Sequence, residues 1–170
     1  MGLGDRYLGS NKMENVFSQG ALAGRTGNIV SAASKVGIDP NLFAAVIAHE
    51  TGRGTSNALQ SYNNPAGIMD PKTKWTKLKK FNSIDDGLDY SAKNLKRRID
   101  QVGGDIGQLA KVYAPIGADN DPKGLNSNWT QGVNRFYSML VAKETPLATN
   151  AQGNKQVQPE PALGQLKAKK

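Results

Sequence analysis

The sequence contains no cysteine and a single histidine, His49. Without thiols there is no disulfide framework, no thiolate metal site and no cysteine nucleophile, and one imidazole cannot assemble a His-based metal centre. Neither metal nor cofactor is expected, and any triad containing histidine would rest on His49 alone. No apolar run approaches the ~18 residues of a membrane span, and the N-terminal region lacks the ~7–15-residue apolar core of a secretory signal. The expectation is a soluble protein with no transmembrane segment and no cleavable signal of its own. Glutamate is also scarce: Glu14, Glu50, Glu144 and Glu160 are the only four.

The chain has 170 residues and a formal net charge of +8, enough for one globular domain with loose ends. From Thr145 onward small, polar and proline residues carry no periodic apolar face, and four lysines oppose one glutamate. Such a segment buries too little apolar surface to offset its ordering entropy. The expected organisation is a loose arm at 1–12, a domain at 13–144 and a disordered basic tail at 145–170. An excess of positive charge suits nucleic acid, an anionic membrane face or bacterial cell-wall polymer, and charge alone does not choose among them.

Within the domain the apolar spacing is mostly helical. One helix is expected from about Asn15 to Val36. Asp39-Pro40 then supplies a capping carboxylate and a proline at the first helical position, ahead of Leu42, Phe43, Val46 and Ile47. Gly67 to Trp75 reads as two short strands around an Asp-Pro turn. Ser83-Ile84-Asp85-Asp86 fits a capping box opening a helix that buries Ile84, Leu88, Ser91, Leu95 and Ile99. A short helix runs from Asp105 to Tyr113, stopped by Pro115, and Asn128 caps a last one carrying Trp129, Val133, Phe136 and Leu140. The fold class is mainly α, with one small β-hairpin.

Glu50 is the only glutamate well inside the domain, the other three lying at or beyond its edges. It follows Ile47 by three residues, Val46 by four and Phe43 by seven, on the apolar face of its helix. Its place at the helix C-terminus and its apolar surroundings both disfavour the anion and keep the proton on. A carboxyl in that state serves as a general acid for a leaving oxygen. The competing reading is a surface glutamate at a frayed helix end.

The run Phe43 to Ser56, with Ala48-His49-Glu50-Thr51-Gly52 at its centre, is followed by Asn63-Asn64-Pro65-Ala66-Gly67-Ile68-Met69. Phe81-Asn82-Ser83-Ile84-Asp85-Asp86-Gly87-Leu88 comes next, then Tyr113-Ala114-Pro115 through Asn120-Asp121-Pro122, Asn126 and Trp129. Together these four ordered blocks, from about Ile38 to Ala142, resemble the bacterial and phage N-acetylglucosaminidases of glycoside hydrolase family 73 type, peptidoglycan hydrolases with a lysozyme-like fold. The resemblance implies that Glu50 protonates the glycosidic oxygen between two aminosugars. It implies that Tyr113 lies near the cleavage site, orienting water or the acetamido group; a core tyrosine beside Val112 is the alternative. Asn63 and Asn64 match the loop that closes the cleft, where amides suit N-acetyl and hydroxyl groups, although Asn-Asn-Pro is also good turn chemistry. Tyr62 and Trp75 complete the substrate-binding candidates.

Relatives commonly carry a second glutamate in or near the hairpin, and residues 51–143 contain none. Asp70, at the turn, is the preferred second carboxylate; Asp85 and Asp86 are better explained as first-turn helix residues. A single acid can also suffice, with the substrate's acetamido group, or the muramic acid 6-hydroxyl of a lytic transglycosylase, attacking the anomeric carbon. Muramidase chemistry on the same glycan is a further alternative.

Lys72, Lys74, Lys77, Lys79 and Lys80 crowd the hairpin, and Lys93, Lys96, Arg97 and Arg98 follow on the next helix. Trp75 and Phe81 interleave with these lysines. This strip suits teichoic or lipid phosphates, with Trp75 stacking on a sugar, while Trp75 in the core beneath the hairpin is the preferred reading of that residue. Two readings of another class remain: a non-catalytic wall-binding module and a nucleic-acid binder, and no recognition-helix or zinc pattern supports the latter. Peptidoglycan is the expected partner and nucleic acid is not. Without a signal, the expected route to the wall is a phage particle or a holin, with the arm or tail docking on virion proteins.

Overall fold

The computed structural model describes residues 11–103, 106–113 and 125–142. Most of the proposed arm, the start of a helix at Asp105, the loop containing Pro115 and Asn120-Asp121-Pro122, and the tail from Thr145 lie outside the described residues. Within them the chain is mainly helical. Residues 11–16 form α1, followed by α2 (Thr26–Lys35), α3 (Pro40–Thr51), α4 (Asn57–Tyr62), α5 (Ile84–Gln101), α6 (Ile106–Tyr113) and α7 (Trp129–Val141). Short 3-10 turns occupy Pro71–Thr73 and Leu125–Asn128.

The core is organised around α3, whose residues Phe43 to Ala48 and Thr51 are all buried. A helix apolar around its whole circumference must be enclosed on several sides, and α3 packs against both α7 and α2. Phe17, Leu22, Ile29, Phe43, Ile47, Leu59, Leu88, Leu95 and Leu109 are the large side chains buried almost completely in this core, each worth ~1.5–3 kcal/mol of apolar transfer. As the sequence predicts, Asp39 caps α3 by accepting the Asn41 N–H at 2.8 Å, with Pro40 at the first helical position. At the other end Gly52 is left-handed. The Thr51 hydroxyl donates to the Ile47 carbonyl at 2.6 Å and accepts the Gly54 N–H at 2.8 Å. The Gly54 carbonyl in turn accepts the Ala21 N–H at 3.0 Å. The end of α3 that carries Glu50 is therefore tied to a second loop.

That second loop corrects the expected helix from Asn15 to Val36, which is two helices. Between them Gly20 adopts φ +80° and approaches Gly54 so closely that a Cβ would meet its carbonyl oxygen at 2.3 Å. Phe17 and Leu22 reach the core from this turn, so burial alone made the segment look continuous.

Along α5 the buried stripe of Leu88, Ser91, Ala92 and Leu95 matches the predicted spacing, and the Ser83 hydroxyl accepts the Asp86 N–H at 3.1 Å. The helix packs on α2 and α6. Exposed pairs between Arg25 and Asp85 at 3.7 Å and between Lys35 and Asp89 at 2.9 Å orient it on α2, contributing ~0–1 kcal/mol each. The Lys12 ammonium donates to the Ala142 carbonyl, joining α1 to the end of α7.

Two further expectations need correction. Asn128 makes no side-chain cap, because the 3-10 turn before it already holds it in helical geometry, φ −91° and ψ −6°. The two-stranded hairpin is a single antiparallel bridge, Met69 to Leu78, and no strand forms among the described residues. Pro71 has no N–H to lend to a ladder, and Lys74 and Trp75 are left-handed at φ 53° and 63°, which turns the chain before pairing can extend.

Candidate active site

Glu50 sits in the last turn of α3, partly buried, and Trp129 begins α7. Because α7 lies along α3, the Trp129 indole N–H donates to Oε1 of Glu50 at 2.8 Å. Burial pushes the Glu50 carboxyl above the ordinary range, and the indole bond, which favours the anion, opposes that shift more weakly. Among the described residues burial, and no neighbouring carboxylate, is what raises it. The indole N–H occupies one lone pair of Oε1, which favours Oε2 as the oxygen that takes the proton when the carboxyl holds one.

Tyr113, at the end of α6, packs its ring on Trp129 with centroids 5.0 Å apart and planes at 33°. Its phenol is pushed far up, first by burial and then by the Glu50 charge, against a weaker opposing pull from Arg98. Tyr113 therefore keeps its hydroxyl proton at any working pH and remains a hydrogen-bond donor.

Beyond Trp129 from Tyr113 in this cluster of rings is His49, edge-on at 6.5 Å and 87°. Burial lowers the His49 pKa, so the ring is a neutral wall and not a charge. Gly132 of α7 lies directly against it: a Cβ there would fall 2.2 Å from Nδ1. The Arg53 guanidinium stands 5.5 Å over the Phe136 ring, a second tie between the end of α3 and α7. Trp129 and His49 were not singled out as site residues from the sequence, although the first lies in the C-terminal aromatic block and the second adjoins Glu50.

The loop from Asn63 to Phe81 is seated on α5, with the Asn63 carbonyl close against Gly87 and the Phe81 ring 5.2 Å from that of Tyr90. Asn63 is left-handed at the end of α4, and its amide donates to the Phe81 carbonyl at 3.0 Å. Asn64 is fully buried; its amide nitrogen donates to the Ile68 and Lys79 carbonyls, both at 2.8 Å, and its oxygen accepts the Ile68 N–H at 2.9 Å. Both amide hydrogens and one lone pair of the oxygen are used within the loop and the side chain is enclosed, which favours the turn-forming reading of Asn64 over direct sugar contact. Tyr62 is half-buried and its carbonyl accepts the Phe81 N–H at 2.9 Å.

Asp70 accepts the Lys72 N–H at 3.0 Å and so caps the 3-10 turn. Among the described residues, no hydrogen bond or ring contact joins Asn63, Asn64, Asp70 or Trp75 to Glu50, Trp129 or Tyr113. Trp75 is 64% exposed, which corrects its expected place in the core. Asp85 bonds the Asn28 amide at 2.9 Å, in keeping with a helix-start role.

The structure thus joins Glu50 and Tyr113 through Trp129 into one aromatic-walled acid and leaves the other candidates at the end of α4 and in the loop that follows it, which is seated on α5. A family model described as mannosyl-glycoprotein endo-beta-N-acetylglucosaminidase, Glucosaminidase, matches residues 27–158, a span running from α2 past α7 and including this whole cluster. No curated protein matches the chain. With that match extending over well more than half of its length, the chain belongs to the glucosaminidase family, whose members are glycoside hydrolases.

Proposed function

We propose that the protein cleaves the β-1,4 glycan backbone of peptidoglycan as an endo-β-N-acetylglucosaminidase, with Glu50 as general acid. The observation that supports this reading is the Glu50–Trp129 pair: a carboxyl whose pKa is raised by burial, with one oxygen fixed by the indole and the other the oxygen on which the reading puts the acidic proton. Oε2 gives that proton to the oxygen linking C1 of N-acetylglucosamine to the next sugar. The C1–O bond breaks, and the leaving sugar departs as a neutral alcohol. Removing such a proton transfer ordinarily costs ~10²–10⁴-fold in rate.

Among the described residues no second carboxylate is joined to Glu50 by a hydrogen bond, which favours help from the substrate. In this scheme the acetamido oxygen attacks C1 as the bond breaks and forms an oxazolinium ion. Water, deprotonated by the Glu50 carboxylate, then opens it to a reducing N-acetylglucosamine and returns the proton to Oε2. The Tyr113 hydroxyl, a permanent donor beside Trp129, orients the acetamido group or the water. Asn64 acts by holding the loop's shape. Delivery by a phage particle or a holin remains part of this reading; detection of the protein in purified particles tests the virion version.

Mass spectrometry of the ends of digested peptidoglycan tests the bond specificity. Reducing N-acetylglucosamine ends are expected. Reducing N-acetylmuramic acid ends would assign a muramidase, and anhydro-muramic ends a lytic transglycosylase.

A further inference from the structure

We propose that the loop 70–80 is a docking surface for an anionic lipid bilayer, with Trp75 as its interfacial anchor and Lys72, Lys74, Lys77 and Lys80 as its headgroup contacts. This goes beyond the hydrolytic reading and does not depend on Glu50.

The exposure of Trp75 is built into the loop. Its N–H donates to the Asp70 carbonyl at 3.1 Å, the Lys74 N–H to the Pro71 carbonyl at 3.1 Å, and the Asp70 N–H to the Lys77 carbonyl at 2.8 Å. The Thr73 hydroxyl donates to the Asp70 carbonyl at 2.8 Å and accepts the Lys77 N–H at 3.1 Å. Within this knot Lys74 and Trp75 both take left-handed backbone, an unfavourable state for bulky side chains, and the result is an indole held in solvent.

The charges around it are mostly of one sign. Residues 71–81 contain no acid, and the single carboxylate of Asp70, which forms no ion pair with these lysines among the described residues, leaves the loop strongly positive. Lys72, Lys74, Lys77 and Lys80 are exposed and, among the described residues, form no ion pair. Three of the basic residues of α5 differ: Lys96 binds Asp100, Arg97 binds Asn94 and Arg98 meets Gln101. Lys79 differs too, lying over the Phe81 and Tyr90 rings at 5.5 and 5.7 Å.

An indole among lysines fits a bilayer better than the other anionic partners. A sugar platform needs hydroxyl or amide side chains beside the ring, and here the Thr73 and Thr76 hydroxyls both donate to backbone carbonyls. A soluble polyphosphate would neutralise the lysines and leave the indole in water. At a membrane interface the indole reaches the headgroup level, where tryptophan is enriched, while each lysine near the surface adds roughly fivefold to partitioning.

The full chain supplies its own probe, because Trp129 is 5% exposed and Trp75 is 64% exposed. With vesicles of phosphatidylcholine and phosphatidylglycerol at about two to one, the protein is expected to co-sediment and its emission to shift to the blue; pure phosphatidylcholine does neither. Brominated lipid should quench the same emission, which gives the reading without any substitution. Trp75→Ala should abolish the blue shift and weaken binding roughly tenfold. Replacing Lys72, Lys74 and Lys77 by glutamine should cost about a hundredfold at low salt. Unshifted emission with anionic vesicles, equal binding by Trp75→Ala, or tight binding to long-chain polyphosphate without insertion into vesicles would each overturn the proposal.

Discussion

The indole N–H of Trp129 donates to Oε1 of Glu50 at 2.8 Å, across 79 positions of sequence. The bond favours the carboxylate while burial favours the acid, and burial prevails. Trp129 thus trades some acidity control for a fixed direction. Trp129→Phe removes the donor and keeps most of the ring, so two effects should appear together. The alkaline limb of the pH–rate profile moves to higher pH, because the bond that lowered the Glu50 pKa is gone. The maximal rate falls roughly 10–100-fold because the acid is no longer aimed. A fall in rate with no movement of the limb would mean that Trp129 only packs.

A buried acid also leaves a signature in stability. Since burial raises the Glu50 pKa in the folded state, the unfolded chain releases its proton first as pH rises. Above the unfolded value of ~4.3 and up to the folded value, the folded protein holds more protons than the unfolded, and its stability falls with pH. Glu50→Gln escapes this loss. Denaturant unfolding should find the variant more stable than wild type at pH 7, with the difference closing at acid pH. A gap that is the same at both pH values would contradict the burial argument.

Asn64 offers a prediction of a purely structural kind. Asn64→Ala removes three hydrogen bonds and leaves the Ile68 N–H and the Ile68 and Lys79 carbonyls without that partner. The expected loss is about 3 kcal/mol, read from urea midpoints. A loss below about 1 kcal/mol would show that water replaces the amide.

Gly132 makes room for His49, and His49 supports Trp129. Gly132→Ala drives a methyl group into the imidazole, which must move or push α7 away. Overpacking of this kind costs ~1–3 kcal/mol, and a lower melting temperature should accompany reduced turnover. Gly132→Ala with both properties unchanged would remove His49 from the support of the site.

Much of this was legible beforehand. The Asp39-Pro40 start, the Ser83 cap and the stripe along α5 depend on neighbours within one or two helical turns, and local chemistry specifies them. Glu50 stands out because it is the one glutamate away from the domain's edges, placed on an apolar face. Its partner did not stand out, since no local pattern reveals that α7 will lie along α3 and bring an indole to that carboxylate. The loop 67–80 misled for the opposite reason. Its composition suits a hairpin, but the Asp70 cap, Pro71 and two left-handed residues close it into a knot that exposes Trp75. Asp70, the preferred second carboxylate for want of a glutamate, caps that knot through one of its oxygens.

The most direct measurement is the rate at which Glu50→Gln releases reducing ends from purified peptidoglycan, beside wild type and with circular dichroism to establish that both are folded. A loss of about 10²–10⁴-fold is expected, because glutamine preserves the indole bond to Oε1 and removes only the proton on Oε2. Digestion by folded Glu50→Gln at the wild-type rate would contradict the assignment of Glu50 as the acid.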